Sequence, residues 1–299
     1  MRIIIVGDNR ERFCSPVTYC IYSLIKEHDV IYQAYDDYGI EYIDSDEIQN
    51  QKPDLILCVD DGSFQKIYHS KKSKNIPKAI WISDTHQCDK SWINMRIEMA
   101  KHFDHVFVCQ KDAVDIFRYA LKHDRIGWLP HALYERDFHY QYIEKICDVG
   151  AVSYMNSKRE VLYPKLKEKF NFVNKNSIWG LQATKFINQC KIGFNLTLSN
   201  DIINMRTMET LGCKVPLLQN RCDINTDNND NGLFDLFQDG VDLFTFANYE
   251  EAIEKVDWIL NHYDEAMKVA INGWAKVLDR HTYTNRLRTI IKIMEAYAK

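Results

Sequence analysis

The stretch from Asn195 to Gly212 carries the residue types best suited to chemistry. It reads Asn-Leu-Thr-Leu-Ser-Asn-Asp-Ile-Ile-Asn-Met-Arg-Thr-Met-Glu-Thr-Leu-Gly. An apolar run ends near Thr197, a polar turn follows, and the remainder has the pattern of a helix that stops at Gly212. The first backbone N–H groups of a helix are unsatisfied and its dipole is positive there, so a helix start favours an anion such as a diphosphate. The stretch therefore predicts an anion-binding helix.

Three charged side chains belong to this predicted helix and its entrance. Arg206 and Glu209 are three residues apart, which places both on one helix face. Asp201 and Glu209 are separated by seven residues, so one acid would stand at the helix entrance and the other two turns in. That separation suits a ligand of nucleotide-sugar length. Two simpler interpretations stay open: Asp201 caps the helix, and Glu209 is a solvent-facing acid paired with Arg206.

Two kinds of segment alternate along the chain and must position these side chains. Short runs that are apolar throughout are typical of parallel strands covered on both faces. They predict strands at Ile3–Val6, Val30–Ala34, Leu55–Val59, Ala79–Ile82, Val106–Val108, Ile126–Leu129, Val149–Val152, Ile192–Leu196, Val215–Leu218 and Leu243–Phe246. Segments with helical periodicity are Pro16–Glu27, Ser91–His102, Asp112–Lys122, Tyr249–His262, Asp264–Leu278 and Thr282–Ala298. The alternation indicates an α/β fold.

The alternation is interrupted once, near Pro130–Cys147, where no clear period is present. We therefore predict two Rossmann-like, doubly wound α/β domains that face a cleft. The first spans residues 1–140, the second spans 141–280, and a final helix at 281–299 crosses back to the first domain. Ligands of open parallel sheets bind at the carboxyl ends of the strands, which is where the predicted anion-binding helix begins.

Composition limits the class of protein. The chain has 299 residues, 46% hydrophobic and 27% charged, with a net charge of −4, as in an ordinary globular protein. No apolar run approaches the ~20 residues of a membrane span. The acidic balance weighs against a protein whose main task is to grip a polyanion. The nine scattered cysteines include no C-x-x-C pair, which predicts reduced thiols in a cytoplasmic protein.

The motif Asn204-x-Arg206-x-x-Glu209, followed by Leu211-Gly212, resembles the donor-site signature of the CgeB-like (spore-maturation) glycosyltransferases. These are relatives of the large GT-B group that carries an E-x7-E motif. Other stretches fit the same family in order and spacing: Trp128-Leu129-Pro130-His131-Ala132, Ser153-Tyr154-Met155-Asn156-Ser157-Lys158-Arg159 and His281-Thr282-Tyr283-x-x-Arg286. The resemblance covers the chain from about Ile80 to the C-terminus and implies the GT-B fold.

The resemblance implies roles for residues of the donor half. Glu209 would hydrogen-bond the ribose of the donor nucleotide. Asp201 stands where the larger group has its first glutamate, which faces the donor sugar, although aspartate is shorter. Arg159, together with Lys158 or Arg206, would hold the diphosphate and stabilise it as the leaving group.

Further residues of the predicted donor site follow from the same resemblance. The segment Ser177-Ile178-Trp179-Gly180 would meet the nucleobase, although a tryptophan such as Trp179 is also an ordinary core residue. The full predicted donor-binding set is Ser153, Asn156, Lys158, Arg159, Trp179, Gly180, Asn204, Arg206 and Glu209.

The first half offers candidates for proton transfer. A predicted strand delivers Asp84 and His86 to the cleft edge, where either side chain would deprotonate an acceptor hydroxyl. A turn cap at Asp84 and a surface histidine are the alternative. The catalytic candidates are thus Asp84, His86 and Asp201. Gly7, Asp8 and His131 are predicted to line the cleft.

We therefore predict a glycosyltransferase that moves a sugar from a nucleotide donor, UDP-linked by resemblance, to a hydroxyl acceptor. It needs no metal and no other cofactor, because arginines and helix-terminal N–H groups neutralise the diphosphate. The resemblance favours retention of the anomeric configuration, in which case the donor phosphate takes the acceptor proton and Asp84 is dispensable. An inverting reaction would require Asp84 or His86.

Two alternatives to this prediction remain. The predicted acceptor is a saccharide, a protein or modified DNA, and the first alternative is a phage-type enzyme that glycosylates hydroxymethylated DNA bases. In that case a basic groove of the first domain would bind the duplex. That groove would consist of Arg10, Arg12, Lys71, Lys72 and Lys74. The other alternative is a nucleotide-sugar epimerase, or a non-catalytic nucleotide-sugar-binding protein, on the same fold.

Overall fold

The computed structural model describes residues 1–7, 15–34, 50–60, 76–83, 85, 90–197, 202–222 and 230–297. The chain forms two compact units, one of Met1–Pro130 with Tyr283–Lys299 and the other of His131–Thr282. The sequence predicts a domain boundary after residue 140 instead. The segment before that boundary packs into the second unit, where Thr184 Oγ1 donates to Asp137 O at 2.7 Å and Asn188 Nδ2 donates to His139 O at 3.0 Å.

Parallel strands and their connecting helices make up both units. The strands are β1 (Arg2–Gly7), β2 (Asp29–Ala34), β3 (Leu55–Asp60), β4 (Lys78–Ile82), β5 (His105–Val108), β6 (Ile126–Trp128), β7 (Cys147–Val152), β8 (Phe172–Lys175), β9 (Cys190–Asn195), β10 (Leu217–Asn220) and β11 (Phe244–Phe246). The helices are α1 (Pro16–Leu24), α2 (Lys90–Ala100), α3 (Ala113–Leu121), α4 (Ser157–Lys169), α5 (Gly180–Asn188), α6 (Met205–Gly212), α7 (Leu233–Leu236), α8 (Tyr249–Asn261), α9 (Tyr263–Arg280) and α10 (Tyr283–Met294).

The first unit is built on a parallel sheet with the order β2-β1-β3-β4-β5-β6. Strands β1, β3, β4 and β5 are largely buried, and residues such as Ile4, Ile80 and Val106 form a continuous core. Strand β1 ends at Gly7, where an added Cβ would lie 2.4 Å from Val17 Cγ2 of α1. Glycine is therefore needed at this position so that α1 can pack against the strand.

The second unit contains a parallel sheet with the order β11-β10-β9-β7-β8. Counted from β7, this is the 2-1-3-4-5 order of a doubly wound sheet. The direction of winding reverses between β7 and β9, which leaves a crevice at the carboxyl ends of these two strands. Both units thus have the parallel α/β architecture that the sequence predicts.

None of the seven described cysteines forms a disulfide, and all seven are buried. No helix in the described part of the chain combines the length and apolar character needed to cross a membrane.

Candidate functional site

The crevice between β7 and β9 has a helix start beside it. Helix α4 follows β7, and Asn156 caps it through Oδ1, which accepts from the backbone N–H of Arg159 at 2.9 Å. Asparagine fits this position because its short amide satisfies a first-turn N–H group that has no partner within the helix. The sequence-predicted residues Ser153, Asn156, Lys158 and Arg159 therefore gather at the carboxyl end of β7.

Arg159 joins the two strands on either side of the crevice. Its Nε and Nη2 donate to Leu196 O, beyond the end of β9, at 3.1 and 2.6 Å. Its Nη1 donates to Tyr154 O, beyond the end of β7. The residue is only 6% exposed, and burial lowers the pKa of its guanidinium. Arg159 thus places a positive charge at the crevice while it holds the two strand ends together.

Helix α6 follows β9 and carries the other predicted donor residues. It begins at Met205, with Asn204 as its N-cap: Asn204 Oδ1 accepts from Thr207 N at 3.2 Å. Asn204 is therefore the residue that caps this helix, where the sequence left a cap by Asp201 open. Asp201 itself lies outside the described residues, and its place near the helix entrance stays a prediction. Glu209 is then the fifth residue of the helix rather than two turns in.

Arg206 and Glu209 form an ion pair on α6, as their spacing predicts. The Arg206 side chain is 23% exposed, whereas that of Glu209 is only 4% exposed. The interpretation of Glu209 as a solvent-facing acid is therefore wrong. Burial raises the pKa of the Glu209 carboxyl, and the nearby Arg206 charge opposes that shift.

The predicted nucleobase segment leads into α5. Trp179 is the N-cap residue of this helix and is 39% exposed. Gly180 is the first helical residue and has a φ of 48°. Ser177, three residues earlier, also has a positive φ, of 54°. Glycine adopts this left-handed conformation at little cost, which makes it well suited to position 180 at the start of α5.

Sequence reasoning missed a buried polar network at the ends of β9 and β10. Gln219 Oε1 accepts from Thr207 Oγ1 at 2.9 Å, and Gln219 Nε2 donates to Ile202 O at 3.2 Å. Asn220 Oδ1 accepts from Thr197 N at 2.8 Å, and Asn220 Nδ2 donates to Thr197 Oγ1 at 2.7 Å.

The network also includes an amide pair, since Asn195 Nδ2 donates to Asn204 Oδ1 at 3.0 Å. One signal in the sequence was available: Gln219 and Asn220 directly follow the apolar residues of a predicted strand.

The remaining predicted site residues fall into two groups. Gly7 ends β1 in the first unit, and His131 begins the second unit with 7% exposure. The others lie outside the described residues: Asp8, Asp84, His86 and Asp201, together with the basic residues Arg10, Arg12, Lys71, Lys72 and Lys74. Within the described part of the chain, no three His, Cys, Asp or Glu side chains are grouped so as to hold a metal ion.

A family model described as glycosyl transferase-like matches residues 149–292. The matched region runs from β7 into α10, so it contains the crevice, both helix starts and the ion pair. The prediction of a glycosyltransferase is confirmed. No curated protein matches the sequence of this glycosyltransferase.

Solved structures resemble the glycosyltransferase over its whole length, although their sequences differ widely. Anabaena HepE, in complex with UDP-glucose, is 9% identical with a TM-score of 0.68, and the alignment covers 99% of this chain and 100% of HepE. Sucrose-phosphate synthase from Thermosynechococcus elongatus is 9% identical with a TM-score of 0.65, covering 99% of each chain. An alpha-glucosyltransferase, in complex with UDP-glucose and DNA that contains an abasic site, is 10% identical with a TM-score of 0.64, again with 99% of each chain covered. These likenesses confirm the predicted GT-B fold of two Rossmann-like units.

Proposed function

We propose that this glycosyltransferase, of the CgeB-like type, transfers a hexose from a UDP-linked donor to a hydroxyl acceptor without a metal ion and with retention of configuration. The observation that carries the proposal is the family match over residues 149–292, because that region holds the crevice between β7 and β9. UDP-glucose in the complex of HepE, which shares the fold, supports the choice of nucleotide.

The proposed donor lies across the starts of α4 and α6. Both helices begin at the carboxyl edge of the sheet, where their N–H groups and dipoles favour the diphosphate. Arg159 and Arg206 add positive charge, which stabilises UDP as it leaves. Glu209 is the proposed ribose ligand, and binding requires it to exchange Arg206 for ribose hydroxyls. Trp179 and Gly180 are the proposed nucleobase contact.

The proposed reaction separates the roles of the acids. With retention, the donor phosphate accepts the proton of the acceptor hydroxyl, and Asp201 faces the donor sugar. Under that mechanism Asp84 and His86 are not required for turnover. Two arginines and two helix starts supply the positive potential that a divalent cation would otherwise provide, so the proposal needs no metal.

The proposed function is tested by incubation of the protein with UDP-glucose and saccharide acceptors in the presence of EDTA. We expect UDP release that depends on the acceptor and an α-anomeric product, identified by the anomeric proton coupling in NMR. Loss of turnover in EDTA that Mg²⁺ or Mn²⁺ restores would refute metal independence. A β-anomeric product would refute retention, and turnover would then be lost in Asp84→Asn or His86→Ala.

A modified DNA base is the second candidate acceptor. It is favoured by the likeness to the alpha-glucosyltransferase that was solved with UDP-glucose and DNA. The same assay distinguishes the acceptors: UDP release with a duplex that contains 5-hydroxymethylated pyrimidines, and none with the unmodified duplex, would identify DNA. Release with saccharides alone would exclude it.

A further inference from the structure

Two neighbouring amides at the end of β10 hold both sides of the proposed diphosphate site. Asn220 binds the chain where β9 ends, through Thr197 N, Thr197 Oγ1 and, at 2.9 Å, Cys222 O. Gln219 binds the chain on both sides of the start of α6: it donates to Ile202 O before the helix and accepts from the hydroxyl of Thr207, the third helical residue. The end of β9 and the start of α6 are therefore fixed to one strand by side chains of consecutive residues.

These amides are too deeply buried to touch a ligand. Gln219 is 0% exposed and Asn220 is 1% exposed. A buried amide is costly unless its hydrogen bonds are made, and an apolar side chain of the same size would fill the space without that requirement. The amides therefore do more than fill space, because each of their hydrogen bonds fixes the position of a particular backbone or side-chain atom near the helix start.

The same strand end is held from the opposite side. Arg159 binds Leu196 O, the residue next to Thr197, so the end of β9 is fixed by α4 as well as by β10. Asn195 adds bonds to Asn204 Oδ1 at 3.0 Å and to Gln219 Oε1 at 3.4 Å, which link β9 directly to the cap of α6. The N-terminal turn of α6 thus has a set position relative to Arg159.

We propose that Gln219 and Asn220 are positioning residues for the donor diphosphate: they preorganise the α6 N-terminus against the end of β9 without touching the ligand. The inference rests on the proposed function, since it assigns these amides to the same donor site. Preorganised N–H groups stabilise developing charge without rearrangement during the reaction, and a displacement of about 1 Å is enough to lower a rate about 100-fold.

The test compares Asn220→Leu with Asn188→Leu in the whole protein. Asn188 is a matched control, because it is also 1% exposed, lies in the same unit and has a buried side-chain amide bonded to Gln141 N, His139 O and Thr184 O. UDP binding is measured by calorimetry well below the melting temperature of each variant. We expect Asn220→Leu to bind UDP at least about tenfold more weakly and Asn188→Leu to bind within about twofold of the parent, although both melt earlier.

A second pair of variants keeps the test decisive if Asn220→Leu does not fold. Thr207→Val removes the hydroxyl that donates to Gln219, and Thr210→Val makes the same change one turn later on α6. We expect weaker UDP binding in Thr207→Val, a lower rate of UDP release from UDP-glucose, and parent-like values in Thr210→Val. Parent-like binding in Thr207→Val, or equal losses within a pair, would overturn the positioning role alone. Failure of the parent itself to bind UDP would overturn the proposed function, and this inference with it.

Discussion

At the scale of single residues, Glu209 is the most unusual side chain of the candidate site. A carboxylate in the middle of a helix is ordinarily exposed, yet this one is 3% exposed and paired with Arg206. Burial without full compensation raises the pKa of the acid above its ordinary value of 4.5. A residue that costs the protein stability in this way is a reasonable candidate for a ligand contact.

The pH dependence of stability should report this cost. Because the folded-state pKa of Glu209 is raised, its protonated form favours folding, and that contribution is complete below pH 4.5 and lost as the pH rises through the folded-state value. Glu209→Gln removes the titration. We therefore expect the melting temperature of Glu209→Gln, relative to that of the parent, to increase as the pH rises from 5 to 8. A difference that stays constant or shrinks over this range would contradict the account.

The sequence was informative about this residue and uninformative about its neighbours. The three-residue spacing is sufficient to predict the Arg206–Glu209 pair, because helix geometry brings such residues together. The contacts of Asn220 were not predictable in this way, since they join β10 to β9 and depend on the strand order. The burial of Glu209 likewise depends on packing around the helix.

At the scale of elements, the continuous apolar runs were reliable predictors of strands. Strand β8 was missed because it is polar in its second half, with Asn174 and Lys175, and lies at the edge of its sheet. The start of α6 was predicted too early because Ser199-Asn200-Asp201 resembles a cap, whereas Asn204 is the residue that accepts from the first turn. Tertiary bonds from Asn195 favour Asn204 in that role.

Helix α9 provides a test of packing in the second unit. An added Cβ at Gly273 would lie 2.1 Å from Asp242 O and 2.8 Å from Leu211 Cδ2. Helix propensity alone favours alanine over glycine by about 1 kcal/mol, but a backbone carbonyl at that distance has little freedom to move. We expect Gly273→Ala to lower the free energy of unfolding by about 3 kcal/mol in urea titrations.

Gly240→Ala is the control for this prediction. Gly240 has a φ of 72° and no atom within 4 Å of an added Cβ, so alanine there meets backbone strain without a clash. A loss of about 1 kcal/mol is expected. If Gly273→Ala is instead as stable as the parent, α9 does not pack against Asp242 as described.

At the scale of the whole molecule, the two units differ in how many of the predicted site residues they contain and in how many of these the structure describes. The second unit contains most of the family match, which ends in α10 of the first unit. It also contains the switch point between β7 and β9 and the described donor residues. The first unit holds the acceptor-side candidates, of which Gly7 is described and Asp8, Asp84 and His86 are not. The described contacts of the candidate site therefore belong to the predicted donor half.

We propose that the crevice between β7 and β9, with Glu209 beside it, binds the nucleotide of a sugar donor. Titration of UDP into the folded parent and into Glu209→Ala, followed by calorimetry at neutral pH, tests it most directly. We expect saturable binding of one UDP to the parent and at least about tenfold weaker binding to Glu209→Ala, because the ribose contact is lost. No binding to the parent, or equal affinity in the two proteins, would contradict the claim.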